Sequence, residues 1–516
     1  MEARRGWQNL GFCGAFGVFF AFASSAQDAA PLSAIDWLSD SISVPAVEPP
    51  PVTDIPLATL PSNITVLPLD TPTPDSVGLQ PASDLNLDAG LWGRSSAADL
   101  ARALMELPDG ADAPPALRRF LTRLLTSEFD PPIDAAIDDS FFLARVDRLL
   151  AAGQLGKADA LIELAGTTEA ERFRRSFDIA LLRGTETEAC QIVETTPELL
   201  PTYPTRIFCL ARLGQWDVAA LTLRNAEALG ILTPEEDALL LHFLDPELFE
   251  GEDIPAPPRV PTPLLFRLFE AVGERIPTDQ LPVAFAFADL GSTVGWQARL
   301  RATERLIATE ALSFEQAIPV FRERKPAASG GIWERVGALQ ALLAALDKRD
   351  LDTLNNTLSA AWNVARRGGF EAAMAEWVTP RLTDYDLSGS AKDAAFEMAL
   401  FSGDLDQAEA FVSETPEDQF LLALAQGQGS AVPGANPLNQ SILRGLGALS
   451  PGRTFEALVR DDRSGEALFR ALEALKRGAV GNPRATRQSL ALLRQLGLGD
   501  LARQVAVELI LIDGAA

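Results

Sequence analysis

The sequence predicts an all-α fold of short antiparallel helix pairs, preceded by an export signal and a proline-rich arm. Apolar residues recur at helical spacing from Ser95 onward, where alternating strand patterns are scarce. Glycine-containing turns separate many of these helical stretches. Proline is dense before them. Together these features predict a signal peptide over 1–26, an arm over 27–92, and helical lobes over 93–250 and 264–516.

The first 26 residues have the pattern of a secretory signal peptide. Arg4 and Arg5 supply a positive start, and residues 11–23, "GFCGAFGVFFAFA", form an apolar run too short to span a bilayer as a helix. Small residues at 24–26 predict cleavage after Ala26. We therefore expect a periplasmic or secreted protein, exported by a Gram-negative bacterium.

Residues 27–92 are expected to form an extended arm because proline removes backbone donors and interrupts helices. Two stretches within the arm are more apolar than the rest. "LSAIDWLSDSI" places Ile35, Leu38 and Ile42 at helical spacing, with Trp37 beside them, and "NITVLPL" (63–69) resembles a short strand. Such a stretch docks either into a partner's groove or back onto its own protein.

Several segments after residue 95 carry an apolar stripe at helical spacing. "SSAADLARALMEL" begins with serine caps and places Leu100, Leu104 and Leu107 on one face. The same spacing recurs in "ERFRRSFDIALL" (171–182) and "LARQVAVELIL" (501–511). In "WDVAALTLRNAEALG" (216–230) it places Trp216, Ala219, Ala220 and Leu223 on one apolar stripe. The prolines of "TPEED", "DPEL" and "TPEDQ" are typical of helix starts. These patterns predict many short amphipathic helices.

A glycine five residues before an alanine recurs between these segments. Glycine permits a tight left-handed turn between two helices, and a small alanine lets them approach closely. A bulky apolar residue often fills the third position, as Leu155, Trp216, Phe370 and Leu405 do. The six windows are "GQLGKA" (153–158), "GTETEA" (184–189), "GQWDVA" (214–219), "GGFEAA" (368–373), "GDLDQA" (403–408) and "GLGDLA" (497–502), and "RDLDTL" (349–354) is a degenerate copy.

These turns resemble those of tetratricopeptide-type repeats, over 151–230 and more weakly over 345–415 and 465–511. The resemblance implies an irregular α-solenoid of antiparallel helix pairs with a binding surface for a protein or peptide. It implies no particular ligand. The break "GEDIPAPPRVPTP" (251–263) is expected to separate the two helical lobes.

The charge of the chain argues against nucleic acid as a partner. The formal net charge is −27, which repels phosphate backbones and anionic membrane surfaces. No apolar run after the signal is long enough to span a membrane. We therefore expect a protein or peptide partner in the cell envelope, no nucleic acid and no integral membrane span. The sequence does not fix the oligomeric state.

The search for catalytic, cofactor and metal sites yields no candidate. His242 is the only histidine of the chain, and its apolar neighbours in "DALLLHFLDP" indicate a buried position. A structural zinc site needs four Cys or His ligands, whereas the chain after the signal offers only Cys190, Cys209 and His242, with no CxxC or HExxH motif. Phosphate-loop, dinucleotide and calcium-loop motifs are also absent from the sequence. We expect no catalytic residues, no cofactor and no bound metal.

Asp and Glu side chains are the remaining candidates for catalytic residues. Glycosidases need two of them in a cleft, and with 71 Asp and Glu some pair will always fit. The sequence thus predicts a non-catalytic scaffold or adaptor that binds a protein or envelope component, while its arm contacts a second partner or its own body. The alternative is a periplasmic hydrolase of peptidoglycan or polysaccharide with paired carboxylates.

Cys190 and Cys209 are expected to form a disulfide. Residues 184–196 predict the second helix of one pair, with a capping box at Thr185 and Glu188, and 205–214 predict the first helix of the next. The two cysteines are equally distant from the centre of the loop at 197–204, so antiparallel helices place them at the same height. Export favours oxidation. Two buried thiols, or a redox or metal pair, are the alternatives.

Overall fold

The structure, a computed structural model, describes residues 35–39, 73–107, 113–135, 139–200, 202–249, 251, 253–326, 330–428, 437–478 and 482–513. The described residues all belong to one compact unit. The predicted signal peptide, its cleavage site after Ala26, Ile42 and the predicted strand at 63–69 lie outside the described residues.

The described part is all-α, as predicted. Its 23 α-helices cover most of the chain. The first ten are α1 (Ala97–Met105), α2 (Pro115–Leu125), α3 (Ser140–Ala151), α4 (Leu155–Ala165), α5 (Ala170–Arg183), α6 (Glu186–Thr195), α7 (Tyr203–Arg212), α8 (Trp216–Leu229), α9 (Pro234–Leu244) and α10 (Pro263–Ala271).

The remaining helices follow in the same short lengths. They are α11 (Trp296–Ala308), α12 (Phe314–Arg322), α13 (Gly331–Lys348), α14 (Leu351–Gly368), α15 (Glu371–Val378), α16 (Gly389–Ser402), α17 (Leu405–Phe411), α18 (Pro416–Ala425), α19 (Pro437–Leu446), α20 (Arg453–Arg460), α21 (Ser464–Gly478), α22 (Pro483–Gln495) and α23 (Gly499–Asp513). Short 3₁₀ helices span Pro74–Ser76, Ala82–Leu85, Pro197–Leu199, Thr278–Gln280, Val283–Leu290 and Thr379–Arg381. Strand β1 (Gln80–Pro81) pairs in parallel with β2 (Ser127–Glu128).

The predicted glycine turns lie where two helices meet. Each of the six windows joins a contacting pair of helices: α3 with α4, α5 with α6, α7 with α8, α14 with α15, α16 with α17, and α22 with α23. Each turn holds a glycine with positive φ. Arg349, in the degenerate copy, adopts the same left-handed conformation between α13 and α14. Of the bulky third residues, Leu155 and Phe370 are buried, whereas Trp216 and Leu405 are exposed.

Helix starts follow the proline and cap signals in most places. Thr233 forms a capping box with Glu236 before α9, and Thr415 accepts from the backbone N–H of Asp418 before α18. The "DPEL" stretch is different, because Asp245 ends α9 and a turn follows. Thr185 lies before α6 but makes no side-chain cap hydrogen bond, so the capping box predicted there is wrong.

The two ends of the described helical array contact each other. Helix α1 packs against α3 and α21, and α2 packs against α23. Repeat arrays whose units contact only their neighbours lack such contacts. Here the first helices therefore share one hydrophobic core with the last.

Residues 73–92, which the sequence assigned to the arm, belong to this core. Trp92 is only 2% exposed and packs against Phe129, Phe141 and Phe469, at ring-centroid distances of 5.0, 5.0 and 5.7 Å. Gly465 makes room for it, since a Cβ there would lie 2.3 Å from the Trp92 ring. Residues 73–92 are therefore not part of a flexible arm. They form a segment without α-helix that covers one side of the core.

A buried arginine holds the same segment in place. Arg145 on α3 donates to the carbonyls of Asp75, Val77, Leu125 and Ser127 at 2.7–3.1 Å. Burial lowers its pKa to about 10, and Asp75 opposes that shift. Two carbonyls of residues 73–81 and two from the end of α2 and β2 thus satisfy the buried guanidinium together.

A second core, formed by α5 to α10, is distinct from the main one. Helix α10 follows the predicted break at 251–263 and packs back on α5 and α9. The buried members are Phe173, Phe177, Leu181, Cys190, Val193, Leu199, Leu200, Ile207, Phe208, Cys209, Ala211, Ala219, Leu223, Leu239, Leu240, Leu264, Leu268 and Phe269. We call α6 to α9, whose side chains take no part in the main core, the side block.

Candidate functional site

The two cysteines lie at disulfide distance inside the side block. Cys190 on α6 and Cys209 on α7 place their sulfurs 2.07 Å apart, with a Cα separation of 4.9 Å. Both residues are buried in the second core. The link joins the second helix of one pair to the first helix of the next, as the sequence predicted. It constrains the helix pair beside which α8 packs.

Helix α8 buries one face and leaves an apolar stripe exposed on another. Ala219, Leu223 and Ala226 are buried, whereas Val218, Leu221 and Leu229 are 48%, 61% and 64% exposed. Helical spacing aligns these three exposed residues along one face, with Thr222 and Asn225 between them. We call Val218, Leu221 and Leu229 the α8 stripe. Exposed apolar side chains aligned on one face are typical of interaction surfaces.

Trp216 stands at the start of α8, where helical spacing places it on the opposite side of the helix from the stripe. The sequence placed Trp216 and Ala220 on the buried stripe, but both are exposed, Trp216 to 49%. The Trp216 ring contacts that of Phe243 on α9 at a centroid distance of 6.1 Å. Ile231, after the helix, is 52% exposed and adds further apolar surface. Tryptophan is enriched among the residues that dominate binding energy at protein interfaces.

The side block is strongly acidic. Residues 184–250 contain twelve Asp or Glu but only three Lys or Arg. The first turn of α9 holds three of the acids, where their negative charge interacts favourably with the helix dipole: Glu235, Glu236 and Asp237. An exposed apolar stripe in acidic surroundings is suited to a helix with an apolar face flanked by Lys or Arg.

The predicted docking residues of the arm contact the body of the same chain. Ile35, Trp37 and Leu38 are at most 9% exposed. Trp37 packs edge-on against Phe285 with the ring centroids 5.4 Å apart. Ile42 lies outside the described residues. The sequence left two docking places open for this stretch, a partner's groove and its own protein. In the structure, Ile35, Trp37 and Leu38 pack against their own protein.

A buried carboxylate anchors the same stretch. Asp178 on α5 accepts hydrogen bonds from the backbone N–H of Ser39, at 3.0 Å, and from its hydroxyl, at 2.7 Å. Arg174, also on α5, donates to the carbonyl of Ser39. Burial raises the pKa of Asp178 to about 6, while Arg174 and the Ser39 donors oppose the shift.

A second buried carboxylate lies where the two ends of the helical array meet. Glu508 on α23 is 0% exposed and accepts from the backbone N–H of Ala116, at 2.8 Å, at the start of α2. Gln504 donates to it at 3.0 Å, and Arg119 approaches to 3.5 Å. Burial raises the pKa of Glu508 to about 7, against the opposing effect of these groups. Glu508 therefore caps α2 from across the core.

Two further glutamates interact with the arginines of α2. Glu310 lies 3.8 Å from Arg119, and its side chain is 20% exposed. Glu371, at the start of α15, is buried. Burial raises the pKa of both, and Arg118 and Arg119 oppose the shift. The sequence search missed this acidic cluster, although a lone glutamate in the apolar stretch "LARQVAVELIL" was a signal of a buried carboxylate.

His242 lies in the side block and is 7% exposed. Its Nδ1 pairs with the carbonyl of Ala238 at 2.7 Å, and its ring contacts that of Phe249 at 5.4 Å. These contacts describe a packed residue on α9, as its apolar neighbours predicted.

Across the described ranges, no group of three or more His, Cys, Asp or Glu is arranged to hold a metal ion. No helix in the same ranges is both long and apolar enough to cross a bilayer. Neither a protein-family model, nor a curated protein, nor a solved structure matches the chain.

Proposed function

We propose that the protein is a non-catalytic periplasmic scaffold that binds a protein partner through the side block. The exposed α8 stripe of Val218, Leu221 and Leu229 carries the proposal. The disulfide pair in the same block holds α6 to α7 and so limits how far the block can deform. A pre-organised surface loses less conformational entropy when a partner binds.

The occupant we propose is an amphipathic helix of a partner protein, with Lys or Arg on both flanks of its apolar face. The apolar face would cover the stripe. The basic flanks would face the acidic surroundings of the side block, where acids outnumber basic residues by twelve to three over 184–250. The apolar contact supplies affinity, and the opposite charges orient the helix and speed its association.

Capture from envelope extracts tests the proposal. Leu221→Glu and Leu229→Glu place charge on the stripe. Leu164→Glu on α4, where the native residue is 60% exposed, is the matched control. We expect a specific partner to bind the unaltered chain and the control alike, and recovery to fall about tenfold with either stripe variant. Equal recovery with all four proteins would overturn the proposal.

A second candidate is a hydrolase of peptidoglycan or polysaccharide. It is favoured by the glutamates around Arg119, since a general acid needs a raised pKa: burial raises the pKa of Glu508 to about 7 and raises that of Glu310 above its ordinary value. Glu310 is the more accessible of the two acids that lie nearest that arginine. Zymography on purified sacculi tests this function: clearing that Glu310→Gln abolishes would support it, and no clearing by the unaltered chain would exclude it for this substrate.

A further inference from the structure

Residues 437–498 are basic within an acidic chain. They contain ten Lys or Arg and five Asp or Glu, whereas the whole chain has a net charge of −27. Three of these arginines, Arg453, Arg484 and Arg487, line one cavity of about 600 Å³. The other lining residues are Gly452, Thr454 and Gln488, so no acidic side chain faces it. Three arginines therefore line this cavity without an acidic side chain to balance their charge.

None of these three arginines forms an ion pair with the described residues, whereas many other arginines of the chain do. The nearest acid on α20, Glu456, is bonded to the hydroxyl of Ser450 and does not line the cavity. Arg484 also lies in the first turn of α22, where the helix dipole disfavours a positive charge. An anion bound by these arginines would supply the missing opposite charge and would offset the unfavourable helix dipole at Arg484.

Backbone donors point to the same ligand. The cavity includes the start of α20, whose N-cap is Gly452 with a φ of 95° and no side-chain cap hydrogen bond. The backbone N–H groups of the first turn of a helix have no partner within the helix. A φ of 95° lies in the left-handed region that favours glycine over any residue with a side chain. Glycine therefore keeps an uncapped helix start open beside the arginines.

We propose that this cavity binds a phosphate group. Arginine presents paired donors that match phosphate oxygens, and an uncapped helix start supplies further donors together with a favourable dipole. The phosphate can come from a free phosphate compound or from the headgroup of a phospholipid, since both present the same oxygens. We name the residues Arg453, Arg484 and Arg487, with the start of α20, the phosphate cavity.

Titration calorimetry on the full chain tests the proposal with two probes. The first is inorganic pyrophosphate, and the second is phosphatidylcholine vesicles that contain phosphatidic acid, with pure phosphatidylcholine vesicles as the blank. Arg484→Gln and Arg487→Gln alter the cavity, and Arg206→Gln on α7 removes the same charge from an exposed position elsewhere. All three native side chains are exposed, so the variants are expected to fold, and circular dichroism checks this.

We expect each cavity variant to weaken binding of pyrophosphate about tenfold and Arg206→Gln to leave it unchanged. Arg487→Lys, which keeps the charge but loses the paired donors, should fall between them. Binding of the phosphatidic acid vesicles alone, with the same ranking of variants, would support the cavity and identify a lipid headgroup as the source. The proposal is overturned if neither probe binds, or if Arg206→Gln weakens binding as much as the cavity variants do.

Discussion

Ser39 donates two hydrogen bonds to the carboxylate of Asp178, which lies 139 residues later in the chain. Arg174 completes the contact by donating to the Ser39 carbonyl. A stretch that composition alone marks as part of a flexible arm is therefore attached to α5 by charged and polar groups. The apolar side chains around Ser39 add to this attachment.

Removing the Trp37 ring should detach this stretch. Trp37 is 4% exposed and packs on Phe285. Trp37→Ala is expected to lower the free energy of unfolding by about 3 kcal/mol, through lost burial and a cavity. Asp36→Ala, at an exposed neighbouring position, is the control and should change it by less than about 0.5 kcal/mol. Urea denaturation measures both values. Equal stability of the two variants would show that the stretch does not hold the fold.

Replacing Arg145 should release residues 73–81. Its guanidinium donates to four backbone carbonyls, which would be left without a donor. Arg145→Met is expected to cost about 3–5 kcal/mol of stability. Exposed Arg206→Met is the control and should be nearly neutral. Denaturant midpoints, together with the rate of proteolysis before residue 92, check this. A neutral Arg145→Met would contradict the role of this arginine.

Glu508 should make the protein less stable as pH rises. Its pKa is about 7 in the folded state, against an ordinary value of 4.5, so the folded chain binds the proton more tightly than the unfolded chain. This contribution to stability is complete below about pH 4.5 and is lost as pH rises through about 7. The pKa shift corresponds to a loss of about 3 kcal/mol in the free energy of unfolding between low and high pH.

Glu508→Gln should flatten that dependence. The amide oxygen still accepts from the Ala116 N–H but carries no charge to bury. We expect the loss of stability between pH 5 and pH 8 to shrink by about 2 kcal/mol, with a residual slope from Asp178, whose pKa is also raised. Glu409→Gln, at an exposed position on α17, should leave the pH dependence unchanged. An unaltered slope in Glu508→Gln would contradict the assignment.

The cysteine pair should behave as a disulfide in the folded protein. Thiol titration of the denatured, unreduced chain without residues 1–26 should find no thiol, because Cys13 is then absent. Two thiols would contradict the link. Cys190→Ala with Cys209→Ala should lower the free energy of unfolding by about 3 kcal/mol, as expected for a closed loop of this length.

Local features of the fold were predictable because they depend on a few neighbouring residues. The glycine turn before Leu155 needs only a left-handed residue and a small one after it, and both are visible in the sequence. The pairing of Cys190 with Cys209 follows from their symmetry about one loop. The helix start at Pro234, in "TPEED", is likewise local.

Contacts between distant parts of the chain were not predictable in this way. Nothing near Ala116 in the sequence indicates that Glu508 caps α2, and nothing near Trp92 points to Gly465. Composition also gave a wrong prediction for residues 73–92. Their proline content resembles that of a flexible arm, and the residues that bury them lie far away in the sequence. The exposure of Trp216 depends on the position of α9 and could not be deduced from the spacing within α8.

The affinity of the α8 stripe for a defined helix tests the central claim most directly. The probe is a labelled amphipathic peptide with leucine on one face and lysine on both flanks, followed by fluorescence anisotropy. We expect the unaltered chain and Leu164→Glu to bind it equally, and Leu221→Glu to bind about tenfold more weakly. A peptide with glutamate flanks should bind poorly. If Leu221→Glu and the unaltered chain bind the lysine peptide with the same affinity, the stripe is not the binding surface.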